Sequence, residues 1–314
     1  MLGPEDLGHR VVVRRIVGVR DNRPIYGDLL GELVDISGTN VTVRSAEGTV
    51  TVERRAIAAA KRVPDRRAAS ATERLERVAA AGWPAAVQQP FGDWLLRATD
   101  GWTNRGNSAL ALGDPGRPLP EAVDAVVAWY RARDLRPRIM VPAPVGGRVT
   151  AELRRRGWAP QRPVLVQTAP LAAVISATPA AAEVRLDEAP PGPWLDLVAD
   201  WKGRPPAAAL RLLTAGGQAR FASLDTESGA LSAVGRGVVP DPRWLGLALV
   251  EVVPAQRRRG RATAIVGALA RWAAGLGADR SYLQVEAHND AALALYARLG
   301  FTTHHTYTTW HAPD

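Results

Sequence analysis

The chain has 314 residues, of which 46% are hydrophobic and 6% aromatic, enough apolar sequence for more than one folded domain. Its 40 lysine and arginine residues outnumber its 31 acidic residues, and the net charge of +9 permits an anionic partner, such as nucleic acid or a phosphorylated cofactor, without requiring one. Because the chain has no cysteine, disulfides, thiolate metal sites and cysteine nucleophiles are excluded.

Residues 1–64 are predicted to form a small β domain. Four stretches rich in valine, isoleucine and threonine are separated by turn residues and indicate strands: HRVVVRRIV, GELVDIS, NVTVRSA and GTVTVER. Tight turns are predicted at Asp21-Asn22, Ser37-Gly38 and Glu47-Gly48. Four or five short strands in this length suggest an SH3-like barrel. A polar linker at residues 61–70, with Pro64 inside it, follows the barrel.

Residues 65–180 change to alternating helices and strands. Apolar side chains recur at helical spacing in ATERLERVAAAGW, PLPEAVDAVVAWYRARDL and GRVTAELRRRGW, the last of which ends at Gly157. Strands are predicted in WLLRA, NSALAL, RPRIMVPA and APQRPVLVQT. Residues 169–193, rich in alanine and proline, are predicted to be a linker.

Residues 181–314 repeat this order of elements. The strand WLGLALVEVV is followed by the helix GRATAIVGALARWAAGLG, the strand SYLQVEA, the helix DAALALYARLGF and the strand THHTYTTW. The helix endings at Gly157-Trp158 and Gly300-Phe301 correspond. We therefore predict an α/β (α+β) fold in which two copies of one unit, each with a mixed central sheet, follow the small β-barrel.

Neither a membrane span nor a metal site is indicated by the sequence. No apolar run reaches the length of a membrane helix, and no signal-peptide core is present, which predicts a cytoplasmic protein. His304 and His305 are expected to point to opposite faces of one strand. The histidines lack the spacing of metal ligands, and we predict no metal; they are His9, His288, His304, His305 and His311.

The pattern R-x-x-G-x-A occurs three times, as RRRGWA from Arg154, RWLGLA from Arg243 and RRRGRA from Arg257. In a chain so rich in arginine the pattern alone carries little information, and its context decides. The first copy ends a helix, where Gly157 is expected to take the left-handed cap conformation. The second copy lies inside an apolar strand. Only RRRGRA follows a strand and begins a helix.

A loop at the beginning of a helix can bind an anion. The first turn leaves backbone N–H groups unpaired, and the aligned peptide dipoles favour negative charge there. The small residues Gly260 and Ala262 let a pyrophosphate approach the backbone closely, and the arginines add positive charge. From local sequence alone, an ordinary exposed turn explains the loop equally well.

The sequence after this loop carries a second motif. VVPAQRRRGRA and LQVEAHNDAALALYARLGF, within roughly residues 244–301, resemble segments of the GNAT superfamily of acetyl-CoA-dependent N-acetyltransferases. The first is similar to V-x-P-x-x-[QR]-x-x-G-x-[GA] and the second to N-x-x-A-x-x-x-Y-x-x-x-G-F. A small β-barrel followed by two acetyltransferase-like lobes also resembles a group of two-lobed actinobacterial members.

The resemblance implies where the co-substrate acetyl-CoA binds. Backbone amides of residues 258–263 would hold its pyrophosphate. Residues 250–252 would separate from the neighbouring strand and bind pantetheine and the acetyl carbonyl, as an oxyanion-type donor. Asn289 matches the asparagine that contacts the cofactor arm. The implied cofactor-binding residues are Val250, Val252, Val253, Arg257, Arg258, Arg259, Gly260, Arg261, Ala262, Thr263 and Asn289.

The resemblance also implies catalytic residues. Tyr296 matches the tyrosine that protonates the departing thiolate, although a core tyrosine with a satisfied hydroxyl is the alternative. The acceptor amine must lose a proton, commonly to a carboxylate. Glu251, in mid-strand beside the implied acetyl site, is the first candidate base, and Glu286 and His288 follow. An ion pair between Glu251 and a loop arginine is the structural alternative.

Two positions depart from the family pattern. Arg258 stands where the first loop glycine is usual, so the turn must form without glycine's conformational freedom. Gln284 stands where some members place a glutamate base, so a base must come from elsewhere.

The first α/β lobe lacks both motifs. GDPGRPLPEAV has prolines in place of amide donors, and GRVTAELRRRGW contains no tyrosine. We infer a degenerate lobe, residues 65–180, that packs against a catalytic lobe, residues 181–314, and shapes the acceptor cleft. The polar segment TDGWTNRGNS, residues 99–108, is a candidate wall of that cleft, and ordinary loop chemistry explains it as well.

The sequence thus predicts an N-acetyltransferase that moves acetyl from acetyl-CoA to a primary amine by direct attack in a ternary complex. The amine belongs to a small molecule or a protein lysine, for which the SH3-like head would dock the target. The alternative is a nucleic-acid-associated regulatory protein with a vestigial acetyltransferase fold. Against this alternative stand the intact loop, Asn289 and Tyr296, and basic segments without interleaved aromatic residues.

Overall fold

The computed structural model describes residues 2–20, 23–45, 48–63, 69–178 and 184–313. The turn predicted at Asp21-Asn22, Glu47 of a second predicted turn, and Pro64 of the linker lie outside these ranges. The chain divides into two compact units, Met1–Ala69 and Ser70–Asp314. Within the described residues, none of the helices has the length and apolar character needed to traverse a lipid bilayer. The cytoplasmic location stays a prediction.

The first unit is an antiparallel sheet of five strands in the order β4-β3-β2-β1-β5. Its strands are β1 Arg10–Arg20, β2 Arg23–Ile36, β3 Asn40–Ser45, β4 Gly48–Glu53 and β5 Ile57–Arg62. Because side chains alternate along a strand, Val11 and Val13 of β1 face the core together with Val41 and Val43 of β3. The predicted small β domain is confirmed, whereas its SH3-like closure stays a prediction.

The second unit alternates helices and strands, as predicted. Its helices are α1 Ala71–Ala81, α2 Leu119–Arg131, α3 Gly147–Arg155, α4 Leu171–Ser176, α5 Gly192–Lys202, α6 Ala207–Thr214, α7 Arg261–Gly275 and α8 Asp290–Arg298. Its strands are β6 Val87–Phe91, β7 Trp94–Ala98, β8 Ala109–Leu110, β9 Arg138–Ala143, β10 Ala159–Pro160, β11 Val164–Pro170, β12 Arg185–Asp187, β13 Gln218–Asp225, β14 Leu231–Asp241, β15 Trp244–Val252, β16 Arg280–Glu286 and β17 Thr302–His311.

Some predicted boundaries differ from the observed ones. The stretch NSALAL contributes only the two residues of β8 to a strand. The predicted linker at 169–193 contains α4, whose Leu171 and Val174 are buried in the core. Residues 179–183 of that linker lie outside the described ranges. A short apolar run in a segment rich in alanine and proline can therefore still pack as a helix.

All strands of the second unit belong to one mixed sheet. Its order is β12-β13-β14-β15-β16-β11-β17-β9-β8-β7-β6, with β10 paired to β17 beside this path. Two pairs, β8 with β9 and β15 with β16, are parallel. In each case the two parallel strands are joined by a helix, α2 or α7. We call α1–β11 the first half and β12–β17 the second half. The fold is thus an α/β tandem, and the boundary at 180/181 stays a prediction.

The last strand of each half pairs with strands of the other half. β11 of the first half lies between β16 and β17, where Gln167 opposes Leu283. β17 of the second half lies against β9, where Thr308 opposes Val141. Each half therefore completes its sheet with a strand that the other half supplies.

Helices cover both faces of the second half. On one face, α4, α7 and α8 pack against Leu247 and Leu283. On the opposite face, α5 and α6 pack with Val234 and Leu249, and α1 packs with Tyr282. We call these the α7 face and the α1 face. Leu283 and Tyr282 are neighbours in β16 and face opposite ways, as strand geometry requires.

Arg236 of β14 joins three elements in the interior. Its side chain is 0% exposed, and Nε donates to the carbonyl oxygen of Leu213 at 2.7 Å. Nη1 donates to Gly82 at 3.0 Å and Nη2 to Ala215 at 3.1 Å, again at carbonyl oxygens. Burial lowers the pKa of Arg236 to about 10, so the guanidinium stays charged at neutral pH. The ends of α1 and α6 are thereby fastened to the sheet.

Arg236→Met is expected to lower the free energy of unfolding by about 2–3 kcal/mol, because three carbonyl oxygens, two of them in buried hydrogen bonds, lose their donor. Urea denaturation measures this change. Arg211→Met, at an exposed position of α6, is the matched control and should change stability by less than about 0.5 kcal/mol. Equal effects of the two substitutions would contradict the structural role of Arg236.

Candidate functional site

β15 and β16 run side by side and then separate. Their parallel register extends from Trp244 opposite Arg280 to Leu247 opposite Leu283, where it ends. The segment Val250–Val252, which the family resemblance assigns to pantetheine and the acetyl carbonyl, lies beyond this point. Its backbone groups on the β16 side are therefore outside the parallel ladder.

A bulge in β15 lies at this separation. Val234 and Arg236, two residues apart in β14, oppose Glu251 and Ala248, three residues apart in β15. Leu249, inside the bulge, has a φ of 53°, a left-handed conformation that residues other than glycine rarely adopt. Bulges bend a strand and redirect its groups, and they are frequent beside functional sites.

The RRRGRA loop connects β15 to the N-terminus of α7. Gly260 caps the helix with a φ of 74°, and the first helical hydrogen bond runs from Ala264 N to Gly260 O at 2.9 Å. The N–H groups of Arg261, Ala262 and Thr263 precede that bond and belong to the open first turn. A Cβ added at Gly260 would meet no described atom within 4 Å. The space beside Gly260, where the helix begins, is therefore open among the described residues.

Arg258 takes the conformation that the missing glycine would have supplied. Its φ is 61°, in the left-handed region, and its side chain is exposed. The turn therefore forms with arginine at the position where the family pattern has glycine, at the cost of backbone strain.

Arg258→Gly is expected to raise the free energy of unfolding by about 0.5–1 kcal/mol, because glycine adopts this φ without steric cost. The gain is reduced by the larger entropy of the unfolded chain. Chemical denaturation of this variant beside Arg259→Gly, in the same exposed loop, measures it. The expectation fails if both glycine variants lose stability equally.

The side chains of Arg257 and Arg261 hold the loop to the sheet. Arg257 Nη2 donates to Glu251 Oε1 at 3.1 Å, and its Nε donates to the carbonyl oxygen of Val252 at 3.2 Å. Arg261 Nη1 donates to Ser232 Oγ at 2.9 Å. The ion pair that sequence reasoning set against a base role for Glu251 is therefore present.

Tyr296 of α8 is almost fully enclosed on the α7 face. It is 8% exposed, and its ring packs edge-on against Phe301 with centroids 5.7 Å apart. Burial, and secondly the charge of Glu251, raise the pKa of Tyr296 to about 12. Tyr296 therefore keeps its proton throughout the neutral range and lies within electrostatic reach of Glu251.

The free energy of unfolding is expected to fall by about 2–3 kcal/mol between pH 10 and 12 through Tyr296 alone. Because the folded-state pKa is raised, this stability is complete below pH 10 and is lost as the pH rises through 12. Denaturation at several alkaline pH values, on wild type and Tyr296→Phe, measures the difference. Identical alkaline losses in both proteins would contradict it.

The other predicted residues lie around the open end of β16. Asn289 begins α8, and its Oδ1 accepts a hydrogen bond from Ala292 N at 3.1 Å, which fixes the amide at the helix N-terminus. Glu286 and His288 are exposed and pair with each other at 3.3 Å. Both candidate bases are thus farther into solvent than Glu251, which is half-buried.

Gln284 follows the last residue of β16 that pairs with β15, and its side chain contacts the first half. Its Oε1 accepts from Arg105 Nη1 at 2.5 Å and from Tyr307 Oη at 3.0 Å. Within the described chain, its Nε2 is buried without a partner. Through Arg105, segment 99–108 therefore contacts β16 at the point where β15 and β16 separate. Neither Arg105 nor Tyr307 is marked by a motif; the only sequence signal is the unusual polarity of the loop.

The expectation that His304 and His305 point to opposite faces is wrong. Their Nδ1 atoms lie 2.9 Å apart, because the register of β17 shifts between Thr303 and His305 and makes His304 an extra residue. His305 Nε2 also contacts Glu76 Oε1 of α1 at 2.7 Å in the interior. In the part of the chain that the structure describes, no cluster of His, Asp or Glu side chains is arranged to hold a metal ion.

Comparison with known proteins gives a family match over most of the chain. The family model described as "Probable histone acetyltransferase Rv0428c C-terminal" matches residues 69–310. The chain is 31% identical over 313 residues to "Probable histone acetyltransferase Rv0428c" of Mycobacterium tuberculosis, covering 95% of this chain and 93% of that protein. It is 28% identical over 250 residues to "Uncharacterized N-acetyltransferase YobR" of Bacillus subtilis, covering 73% of this chain and 94% of that protein.

Solved structures share the fold of the second unit. A GCN5-related N-acetyltransferase from Kribbella flavida superposes with a TM-score of 0.60 at 14% identity, covering 78% of this chain and 96% of that one. A tandem GNAT protein from the clavulanic acid biosynthesis pathway superposes with a TM-score of 0.50 at 17% identity, covering 66% and 76%. These likenesses establish the tandem GNAT fold.

Proposed function

Since the chain belongs to the GNAT-type N-acetyltransferase family of the probable histone acetyltransferase Rv0428c, we propose that it transfers acetyl from acetyl-CoA to a primary amine. Transfer is by direct attack in a ternary complex. The proposed acceptor is a small molecule or a protein lysine; the mycobacterial relative is named a probable histone acetyltransferase. The observation that carries the proposal is the separation of β15 from β16 immediately before an open helix N-terminus.

The residues present fit acetyl-CoA. The space beside Gly260 at the start of α7 is open, and the exposed Arg258 and Arg259 add positive charge for a pyrophosphate. When bound, acetyl-CoA supplies a thioester whose carbonyl carbon is open to attack by an amine. Val250–Val252 would donate backbone N–H groups to the pantetheine arm and the carbonyl oxygen. The amide of Asn289, fixed at the start of α8, would contact the same arm.

Tyr296 is the proposed acid. It donates its Oη proton to the departing sulfur as the nitrogen–carbon bond forms and the carbon–sulfur bond breaks. A tyrosine whose pKa is raised to about 12 by burial and by Glu251 holds this proton at every physiological pH. Because this pKa lies above that of a free thiol, Oη acts by donating a hydrogen bond to the sulfur as its negative charge develops, and the tyrosine regains from solvent any proton that leaves with the thiol.

Glu251 is the proposed base. Arg257 holds its Oε1 at 3.1 Å, and Oε2 is the oxygen that accepts the amine proton, directly or through a water molecule. Gln284, the residue at the alternative base position, cannot accept a proton at neutral pH.

Acetyl-CoA titration with thermal unfolding, followed by a thiol-release assay over an amine panel, tests the proposal. Bound co-substrate at one hundred times its Kd should stabilise the protein by about 2.7 kcal/mol. At least one amine should release free thiol stoichiometrically with its acetylation. Absence of any stabilisation by acetyl-CoA would overturn the proposal.

A further inference from the structure

Arg105 reaches from the first half to the point where β15 and β16 separate. Its Nη1 contacts Gln284, the first residue of β16 beyond the parallel register, at 2.5 Å. Its guanidinium lies 4.4 Å from the ring centre of Trp83. Gln284 faces the same way as Tyr282, two residues earlier, so Arg105 approaches the separation from the α1 face.

In the proposed reaction the acceptor approaches the strand separation from the α1 face, opposite the pyrophosphate loop. The N-terminus of α7 and its amide donors belong to the opposite face, where Tyr296 also packs. On the α1 face, Leu249 of the bulge packs with Trp83 and Trp102, which stack with ring centres 5.9 Å apart. Arg105 therefore lies beside the strand separation on the face opposite the pyrophosphate loop.

Arg105 has no acidic partner within the described ranges. Its Nη1 donates to Gln284 and its plane lies over the ring of Trp83, and among the described residues no acceptor lies within hydrogen-bond distance of Nε or Nη2. Glu76, an acidic group of the same interior, is engaged by His305 at 2.7 Å. Burying part of a guanidinium without a counter-charge costs free energy unless solvent ions or a bound anionic ligand compensate the charge.

Two further buried arginines add to this positive charge. Burial lowers the pKa of both Arg97 and Arg236, and the charge of Arg105 lowers each further. Both direct their donors to protein atoms: Arg97 Nε donates to Ser108 O at 2.9 Å, and Arg236 has three carbonyl partners. Arg105 is therefore the member of this group that has N–H donors without an acceptor among the described residues.

The loop that carries Arg105 is rigid. Asn107, 1% exposed, accepts from Thr99 N at 2.8 Å and Gly101 N at 3.0 Å through Oδ1. Its Nδ2 donates to the carbonyl oxygens of Trp102 and Thr103 at 2.8 and 2.9 Å. Thr103 has a φ of 62°, a strained conformation that four such bonds enforce. A strained loop held this firmly presents its arginine in one geometry, as ligand recognition requires.

We propose that Arg105 binds an oxyanion of the acceptor, so that the acceptor is an amine that also carries a carboxylate or a phosphate. This inference rests on the proposed function. The free edge of the guanidinium matches either oxyanion in a two-bond contact. The same positive charge opposes an ammonium beside it and favours the neutral amine, the form that attacks. It also disfavours strongly basic peptides.

The test uses matched amines that differ only in the anion: an α-amino acid and its amide, and phosphoethanolamine and ethanolamine. Transfer is followed by thiol release, and binding by calorimetry in the presence of CoA. Wild type should prefer the anionic member of at least one pair, in kcat/KM or in Kd, by about 10- to 100-fold. The amino-acid pair and the phosphate pair distinguish the two oxyanions.

Arg105→Met should abolish this preference, chiefly by raising KM for the anionic member of the pair. Arg105→Lys should retain part of it, since charge without the planar fork remains. Arg77→Met, at an exposed position of α1, is the control and should keep the wild-type preference. Stabilisation by acetyl-CoA in every variant shows that the co-substrate site is intact.

Three results would overturn the inference: no preference for an anionic member in wild type, equal loss of both members in Arg105→Met, or preference for a basic lysine peptide over every oxyanion-bearing amine. Failure of acetyl-CoA to stabilise wild type is a different result, which refutes the proposed function itself.

Discussion

Replacing Tyr296 by phenylalanine is expected to lower kcat by about 100- to 10,000-fold, the range for loss of a positioned general acid. The substitution removes one oxygen from a side chain that is 8% exposed and packed against Phe301, so the ring's contacts persist. The Kd for acetyl-CoA should change little, because the proposed binding groups are the loop amides and Asn289. Steady-state kinetics with calorimetric binding separates the two effects.

Tyr282→Phe is the matched control for this substitution. Burial also raises the pKa of Tyr282 to about 12, but its side chain packs with α1 on the opposite face of the sheet. The kcat of Tyr282→Phe should stay within about threefold of the wild-type value. If Tyr296→Phe also retains a kcat near wild type, Tyr296 is a core residue and the acid lies elsewhere.

Replacing Gly260 by glutamate is expected to weaken acetyl-CoA binding by about 100- to 1,000-fold. Space for the side chain exists, since a Cβ there meets no described atom within 4 Å, so the change places a carboxylate in the proposed pyrophosphate cradle. A carboxylate placed against a bound pyrophosphate repels it, and like charges facing each other in a complex cost several kcal/mol. Thermal stabilisation by acetyl-CoA, measured as the shift in Tm, should disappear.

Gly260→Gln is the control that isolates charge from strain. Any side chain at a φ of 74° costs about 1–2 kcal/mol, and glutamine shares that cost with glutamate. The glutamine variant should therefore lose stability equally and keep most of its affinity for acetyl-CoA. Equal loss of affinity in both variants would mean that loop geometry, and not a bound anion, explains the glutamate effect.

Local pattern predicts α7, α8, β15 and β16 well. The apolar residues of both helices recur at helical spacing, and the capping positions Gly260 and Asn289 mark where the helices begin. The strand β14 is harder to recognise, because seven consecutive residues from Ser232 to Val238 are buried and no alternation remains. β11 and β17 each pair with strands of the other half, and local periodicity does not predict such long-range pairing.

The residues of the candidate site also fall into those that local sequence predicts and those that long-range packing brings together. Its loop and helix N-termini are contiguous in sequence, so Gly260, Asn289 and Tyr296 are accessible to motif reasoning. Arg105 and Gln284 are 179 residues apart, and their contact depends on how the two halves pack. The error at His304 has a similar origin, since a register shift against β11 breaks the alternation that sequence reasoning assumes.

Because β11 and β17 each pair with strands of the other half, neither half can be lost in evolution without damage to the sheet of the other. A deletion that removed either half would leave the other with an open gap in its sheet and with unpaired strand edges, a state prone to aggregation. The half without acetyltransferase motifs is therefore inherited together with the other, whether or not it takes part in chemistry. Mutation is free to reshape its loops, and a loop such as the one around Arg105 is where a new acceptor preference can arise without loss of the fold.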